Sequence, residues 1–192
     1  MKFVIATGNP GKVKDFNLLL GKVGHEAVSL KELNIDIDVE ETGTTFQENA
    51  YIKAKAIYDI VKIPVIADDS GLCVDALSGA PGVYSARYGG EGLTDRDRCI
   101  KLLSDMENEE NRNAHFACAI CAILNDDEVI EVSGKCDGTI LREIVGENGF
   151  GYDPLFYVEK FNKTFGEISK EEKNMISHRK KAMDKLIEKL SI

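Results

Sequence analysis

The 192-residue sequence predicts an α/β fold in which one mixed β-sheet is shared by two lobes of a single domain, residues 1–192. Three observations carry that expectation. Short β-branched and aromatic runs alternate with stretches of helical periodicity. Glycine-rich turns separate them. The chain has no internal repeat, no low-complexity segment and no linker that would divide independent domains.

Taken in order, Lys2 to Ala6 reads as a strand closed by the turn cluster Thr7-Gly8-Asn9-Pro10-Gly11. From Lys12 the apolar residues Val13, Phe16, Leu19 and Leu20 fall on one helical face, so the chain opens strand, glycine loop, helix. Thr45-Phe46-Gln47-Glu48 fits a capping box, opening a helix whose apolar face is Phe46, Ala50, Ala54, Ile57 and Val61. Ile63 to Ala67 is expected as a buried strand ending in Asp68-Asp69-Ser70-Gly71, with Leu72 to Ala76 continuing beyond a kink. A loop from Gly79 to Gly90 precedes a helix from Thr94, with Cys99, Leu102, Leu103 and Met106 inward. Ala114 to Leu124 and Glu128 to Gly134 read as a hairpin around Asn125-Asp126-Asp127. Gly146 to Gly151 is a second glycine loop, Asp153 to Val158 a strand, and the C-terminus is helical behind the capping box Ser169-Lys170-Glu171-Glu172.

Composition excludes several classes of function. With 24 Lys+Arg against 33 Asp+Glu the formal net charge is −9, which argues against a broad nucleic-acid-binding face, since phosphate backbones are held by massed cations. The longest apolar run, Phe116 to Leu124, is less than half of the roughly 20 residues a membrane helix needs. The opening run Met1 to Ala6 meets Asn9 and Lys12 too soon for a signal peptide, so a cytoplasmic protein with no membrane partner is expected. The five cysteines are odd in number and lack framework spacing, which points to reduced thiols. Cys118 and Cys121, three apart in a strand-like run, face opposite sides and serve as core residues rather than as a metal or redox pair. There is no His-Glu-x-x-His, no Gly-x-Ser-x-Gly and no Gly-x-Gly-x-x-Gly.

Four segments could carry chemistry. The loop Thr7, Gly8, Asn9, Pro10, Gly11, Lys12 joins a strand to a helix N-terminus, where backbone N–H groups and the positive dipole end suit phosphate oxygens. It lacks the Walker A spacing, and the same residues would also suit a plain tight turn. The acidic set Glu40, Glu41, Asp68 and Asp69 calls for a cation if it faces phosphate. Mg²⁺ fits, because it takes one or two carboxylates with waters and phosphate oxygens. A carboxylate free of the metal could act as general base, although Asp68-Asp69 would equally suit a solvated turn. Gly149-Phe150-Gly151-Tyr152-Asp153-Pro154 interleaves two aromatics with glycines and offers a stacking surface. Lys173 and Ser177-His178-Arg179 fall in the last segment. Lys173 and His178 lie about 140° apart on a continuous helix, so sharing a ligand requires a break near Ser177, which would cap the next helix.

In this order the segments resemble the inosine triphosphate pyrophosphatase family, the Ham1-like non-standard purine nucleoside triphosphate pyrophosphatases. The matching runs are Thr7 to Lys12, Glu40 to Phe46, Ala67 to Leu72, Gly79 to Arg87, Gly149 to Pro154 and Ser177 to Arg179, which together span nearly the whole chain. The resemblance implies an elongated α/β fold around a long central sheet, two lobes with a cleft between them, and a homodimer. It implies Mg²⁺-dependent hydrolysis of ITP, dITP and XTP to the monophosphate and pyrophosphate, which cleanses the nucleotide pool. Carried over residue by residue, Thr7, Gly8, Asn9, Pro10, Gly11 and Lys12 hold the phosphates. Glu40 and Asp69 bind the metal, Asp69 also accepts the proton of the attacking water, and Ser70 touches substrate. Phe150, Gly151, Tyr152, Asp153, Lys173, His178 and Arg179 line the base and phosphate positions. Glu41 could replace Glu40 as ligand. A 6-oxo purine presents an acceptor where adenine presents a donor, so a His or Arg donor at that edge would reject ATP; excluding GTP would need a close contact at C2. Two rivals remain open at this point: a pyrophosphatase for modified pyrimidine triphosphates, and a nucleotide-binding regulatory module without turnover.

Overall fold

The computed structural model of the chain describes residues 1–191; Ile192, the last residue of the expected domain, lies outside the described residues. The opening strand β1 (Lys2–Ile5) runs parallel to both of its neighbours, with Val4 opposite Val28 on one side and Val65 on the other. Helix α1 (Pro10–Gly21) follows. It starts earlier than the periodicity suggests, because Pro10 fits the first helical position, where no N–H is needed, and Asn9 caps the end. Strand β2 (Glu26–Ser29) was not foreseen from the sequence: it has one buried side chain, Val28, and so little hydrophobic pattern to show. Helix α2 (Phe46–Val61) carries the expected Thr45–Glu48 capping box and buries Ala50, Ala54 and Ile57.

Strand β3 (Val65–Val74) corrects the sequence reading. It runs unbroken through Asp68-Asp69-Ser70-Gly71, where a turn and a kink were expected. Both aspartates are buried, at 2% and 8% exposure, and each has a cationic or amide partner, so the strand tolerates them in mid-course. Helix α3 (Asp95–Asp105) opens on the Thr94–Asp97 capping box. Strands β4 (Asn113–Asn125) and β5 (Glu128–Ile140) turn at Asp126-Asp127 as foreseen, with β5 extending beyond the expected Gly134. Strand β6 (Phe156–Val158) is shorter than expected because Asp153–Leu155 forms a 3₁₀ turn, and β7 (Lys163–Thr164) is a two-residue addition. Helices α4 (Lys170–Ile176) and α5 (His178–Leu190) close the chain.

The seven strands form one mixed sheet in the order β2-β1-β3-β4-β5-β6-β7, parallel around β1 and antiparallel from β5 to β7. The α/β expectation holds in this mixed sheet. The chain divides into two compact units. One comprises Met1–Ser70, Cys118–Gly134 and the residues from Lys181 on; the other comprises Gly71–Ala117 and Lys135–Lys180.

In the first unit the period-two alternation of each strand feeds two cores. Phe3, Ile5, Ile66, Cys118 and Ile120 pack with Phe16 and Leu20 of α1 and with Met183 and Leu186 of α5. Val4, Val65, Ala67, Ala119 and Cys121 pack with Ala50, Ala54 and Ile57 of α2. Cys118 and Cys121 therefore serve opposite cores, as their spacing requires. The second unit has one core, in which Leu72, Val74, Leu102, Met106, Phe116, Phe156 and Phe165 pack together. All five cysteines are free thiols.

Candidate active site

The loop between β1 and α1 is tightly self-bonded. Asn9 Nα donates to Thr7 Oγ1 at 3.2 Å, and Asn9 Oδ1 accepts from the N–H groups of Gly11 at 2.8 Å and Lys12 at 3.4 Å. Two amides that the sequence offers to phosphate are thus already engaged by the cap, and an incoming oxygen would compete with Asn9 for them. Gly8 and Pro10 complete a loop that is exposed to solvent. Lys12 reaches from the first turn of α1 to Asp68, with Nζ at 2.9 and 2.8 Å from its two carboxylate oxygens.

Asp68 and Asp69 are neighbours in an extended strand, so their side chains leave from opposite faces. Asp68 shares the face of Ile66, which packs with α1, and there meets Lys12. Asp69 shares the face of Val65 and Ala67, which pack with α2, and there meets two α2 side chains. Asn49 Nδ2 donates to Asp69 Oδ2 at 3.1 Å, and Lys53 Nζ lies 3.9 Å from Asp69 Oδ1. The same Lys53 ammonium is 3.0 Å from Glu41 Oε1. Asn49, fully buried, also accepts from the Gly43 N–H at 2.8 Å, which ties the segment after Glu41 to α2.

Of the glutamate pair, Glu41 is the one whose carboxylate is drawn to this cluster, while Glu40 is exposed. Burial pushes the Asp69 carboxyl above the usual aspartate range. Lys53 opposes that rise, Glu41 adds to it, and the Asn49 and Ser70 hydrogen bonds lower it. A carboxylate with raised proton affinity is a better base than a free aspartate. Ser70 Oγ, next along β3, is buried without a hydrogen-bond partner among the described residues, a polar atom placed for something to bind.

The donor chemistry suits Mg²⁺. Two carboxylates, Glu41 and Asp69, already gather around one cationic nitrogen, and Mg²⁺ asks for one or two carboxylates with the rest of its shell from water and phosphate. Among the described residues no group of three or more His, Cys, Asp or Glu side chains is arranged to enclose a metal.

In the second unit the segment Gly149 to Asp153 forms a compact turn. Phe150 N–H donates to Asp153 Oδ2 at 3.0 Å, and Asp153 N–H returns to Phe150 O at 3.2 Å. Gly149 is obligatory here. Its φ is +77°, and a Cβ would lie 2.0 Å from Asp153 Oδ2. Asp153 is 2% exposed; burial raises its carboxyl, and Lys173 pulls it back down through a 2.5 Å contact from Nζ to Oδ2. The Lys173 ammonium also sits 4.8 Å from the centre of the Phe150 ring and 5.1 Å from that of Phe165.

The two aromatics of the loop differ, contrary to the shared stacking surface expected. Phe150 is 64% exposed, whereas Tyr152 is core: its O–H donates to Ser85 O at 2.6 Å and burial raises its phenol. The reason is position around Gly151, whose φ of +58° turns the chain so that successive side chains take different environments.

The helix breaks where the spacing argument requires it. Ser177 is extended, with φ −62° and ψ 149°, between α4 and α5, and its Oγ accepts from the Lys180 N–H at 3.2 Å, capping α5. His178 and Arg179 are therefore the first residues of α5. His178 is buried, with its ring stacked on Phe116 at 5.0 Å between centroids and 16° between planes; Arg179 is half-buried.

The family model described as the Ham1 family matches residues 3–189 of this chain. The chain belongs to the Ham1 family. Its Ham1 kinship is close in sequence: the dITP/XTP pyrophosphatase of Treponema denticola is 49% identical over 186 residues, covering 95% of each chain. It is as close in structure. The Staphylococcus aureus Ham1 protein has a TM-score of 0.94 at 45% identity, covering 99% of this chain and 98% of that one. A HAM1 protein from Coxiella burnetii has a TM-score of 0.95 at 39% identity, over 100% and 98%.

Sequence reasoning passed over Asn49, Lys53 and Asp95, which in this Ham1 chain bond to Asp69 and to Gly151. A signal for the first two was present. Asn49 and Lys53 are polar residues four apart, flanking the apolar positions Ala50 and Ala54 on a well-capped helix, so they share one face at the edge of the core.

Proposed function

We propose that this chain hydrolyses non-standard purine nucleoside triphosphates, dITP, ITP and XTP, to the monophosphate and pyrophosphate with Mg²⁺ as cofactor. The observation that carries this reading is the buried Asp69 carboxylate, bonded to Asn49 and facing Lys53, in a chain whose relatives bear the name dITP/XTP pyrophosphatase.

In this reading the residues of the first unit handle the triphosphate. Thr7 through Gly11 bring the Thr7 hydroxyl and the Asn9 side-chain amide to the N-terminus of α1, where phosphate oxygens would compete with Asn9 Oδ1 for the Gly11 N–H, and Lys12, paired with Asp68, supplies a cation beside them. The unpartnered Ser70 Oγ contributes a further hydrogen bond to substrate. Asp69, together with a carboxylate of the Glu40–Glu41 pair, would hold Mg²⁺. When bound, the ion neutralises phosphate charge and acts as a Lewis acid. Asp69 accepts the proton of the attacking water, a role for which its burial and fixed orientation suit it. Phosphoryl transfer asks chiefly for positioning and charge neutralisation, and these side chains provide both.

The residues of the second unit handle the nucleobase. The exposed Phe150 ring offers a stacking face, and Lys173, His178 and Arg179 supply donors for a 6-oxo purine edge. A homodimer and a cytoplasmic setting belong to the same proposal, and no helix among the described residues is long and apolar enough to cross a membrane.

The test is pyrophosphate release with Mg²⁺ across ITP, XTP, dITP, GTP, ATP and dUTP. Release from the inosine and xanthosine nucleotides, with ATP and GTP much poorer, is expected. Orthophosphate as the primary product, or equal rates on ATP and ITP, overturns the proposal.

A further inference from the structure

Helix α3 lies outside every segment singled out for chemistry, yet it grips the aromatic loop. Asp95, its first residue, accepts a 2.8 Å hydrogen bond from the Gly151 N–H at Oδ2. Cys99 Sγ lies 3.4 Å from the carbonyl oxygen of the same Gly151. The two side chains are four residues apart, hence on one face of the helix, and they engage both polar groups of a single residue. Asp95 is itself steadied, with Oδ1 3.4 Å from Arg98 Nη1. Cys99 is buried, and burial pushes its thiol up to about 11, so it retains the S–H proton that it donates.

What this grip holds is unusual. Phe150 exposes 64% of its surface, a state in which an aromatic side chain on a loop would ordinarily be mobile. Here the backbone on both sides is fixed: the Phe150 N–H by Asp153, the Gly151 N–H by Asp95, and the Gly151 carbonyl by Cys99. Beyond it, the Tyr152 hydroxyl is fixed by Ser85. An exposed ring on a pinned backbone is a surface ordered before its ligand arrives, and that removes part of the entropic cost of binding.

We propose that Asp95 and Cys99 are positioning residues for nucleobase recognition: from α3 they clamp Gly151 and so present Phe150 as a preformed stacking platform. The proposal rests on the reading of Phe150 as a base-stacking residue given above. It separates Asp95 from the ordinary role of an acidic residue in a first helical turn, which would stabilise the helix without regard to substrate.

The experiment compares binding of ITP with binding of inorganic tripolyphosphate, which has no base, by calorimetry with divalent metal chelated so that nothing is hydrolysed. Wild-type protein is expected to bind ITP more tightly than tripolyphosphate. Asp95→Ala should weaken ITP about tenfold, as loss of a charge-assisted hydrogen bond implies, and leave tripolyphosphate within about twofold. Asp95→Asn keeps an acceptor oxygen and should retain most of the ITP affinity. Cys99→Ala should weaken ITP selectively and by less than Asp95→Ala, because a thiol is a weak donor. An equal loss on both ligands, or an ITP advantage that survives both Asp95→Ala and Cys99→Ala intact, overturns the clamp alone. Wild-type protein that binds ITP no better than tripolyphosphate overturns the base-recognition reading and the clamp with it. If Asp95→Ala fails to fold, Cys99→Ala decides alone: a selective loss on ITP supports the clamp, and an intact ITP advantage overturns it.

Discussion

Replacing Lys12 with Met removes the cation from a bridge whose acid is almost wholly enclosed. The Asp68 side chain is 2% exposed and that of Lys12 20%, with both carboxylate oxygens within 2.9 Å of Nζ. Breaking a buried pair by deleting one partner costs about 3–5 kcal/mol, because the remaining charge is left in a poorly solvated place. Since a fifth of Lys12 reaches water, the lower end applies, about 3 kcal/mol. For a chain of this length that corresponds to a fall of roughly 6–12 °C in Tm. Denaturant unfolding and calorimetry of Lys12→Met, Asp68→Asn and the double variant measure it. The double variant should be more stable than the sum of the single losses predicts, by about 2 kcal/mol, because Asn carries no charge for Lys12 to neutralise. Additive single losses, or a Lys12→Met deficit below about 1 kcal/mol, would refute the assignment of this bridge as a buried, energetically coupled pair.

Three further outcomes are expected. Asp69→Asn should lower kcat by at least about 10²-fold, the usual cost of a lost general base, while the Kd for nucleotide measured without metal stays near that of the parent; near-normal turnover at saturating Mg²⁺ would show that Asp69 is not the base. Gly149→Ala forces a Cβ to within 2.0 Å of Asp153 Oδ2 at a φ of +77°, so KM for ITP should rise, read from steady-state kinetics, while circular dichroism shows the helices intact. Glu48 is held below the 4.5 of a free glutamate by hydrogen bonds from Thr44 and Thr45, and Asp97 below the 3.8 of a free aspartate by those from Thr94. A lowered carboxyl stabilises the fold above its unfolded value and loses that contribution as pH falls through the folded value. The double variant Glu48→Gln, Asp97→Asn should therefore show a shallower loss of stability below pH 4.5 than the parent, in urea titrations at a series of pH values.

Much of this protein is local, and the local part was legible in the sequence. The capping boxes at Thr45–Glu48 and Ser169–Glu172 appear where the residues place them, because a cap is an interaction between residues three apart and needs no tertiary partner. The break at Ser177 follows from the same kind of reasoning, since helix geometry alone separates Lys173 from His178. The opposite faces of Cys118 and Cys121 follow from strand periodicity. The order of the motifs was enough to recognise the family.

What the sequence left open is which charge meets which. Asp68-Asp69 looked like a turn, because two adjacent acids rarely lie buried in mid-strand. The arrival of Lys12 from α1 on one face and of Asn49 and Lys53 from α2 on the other makes that placement tolerable. The choice of Glu41 rather than Glu40 as the neighbour of Lys53, and of Phe150 rather than Tyr152 as the exposed ring, depends on backbone direction at single residues, which composition and spacing do not encode. The grip of Asp95 on Gly151 spans 56 positions. Periodicity and capping are fixed within a few residues of chain, whereas the pairing of buried charges and the presentation of a loop are fixed only when distant elements pack and water is excluded.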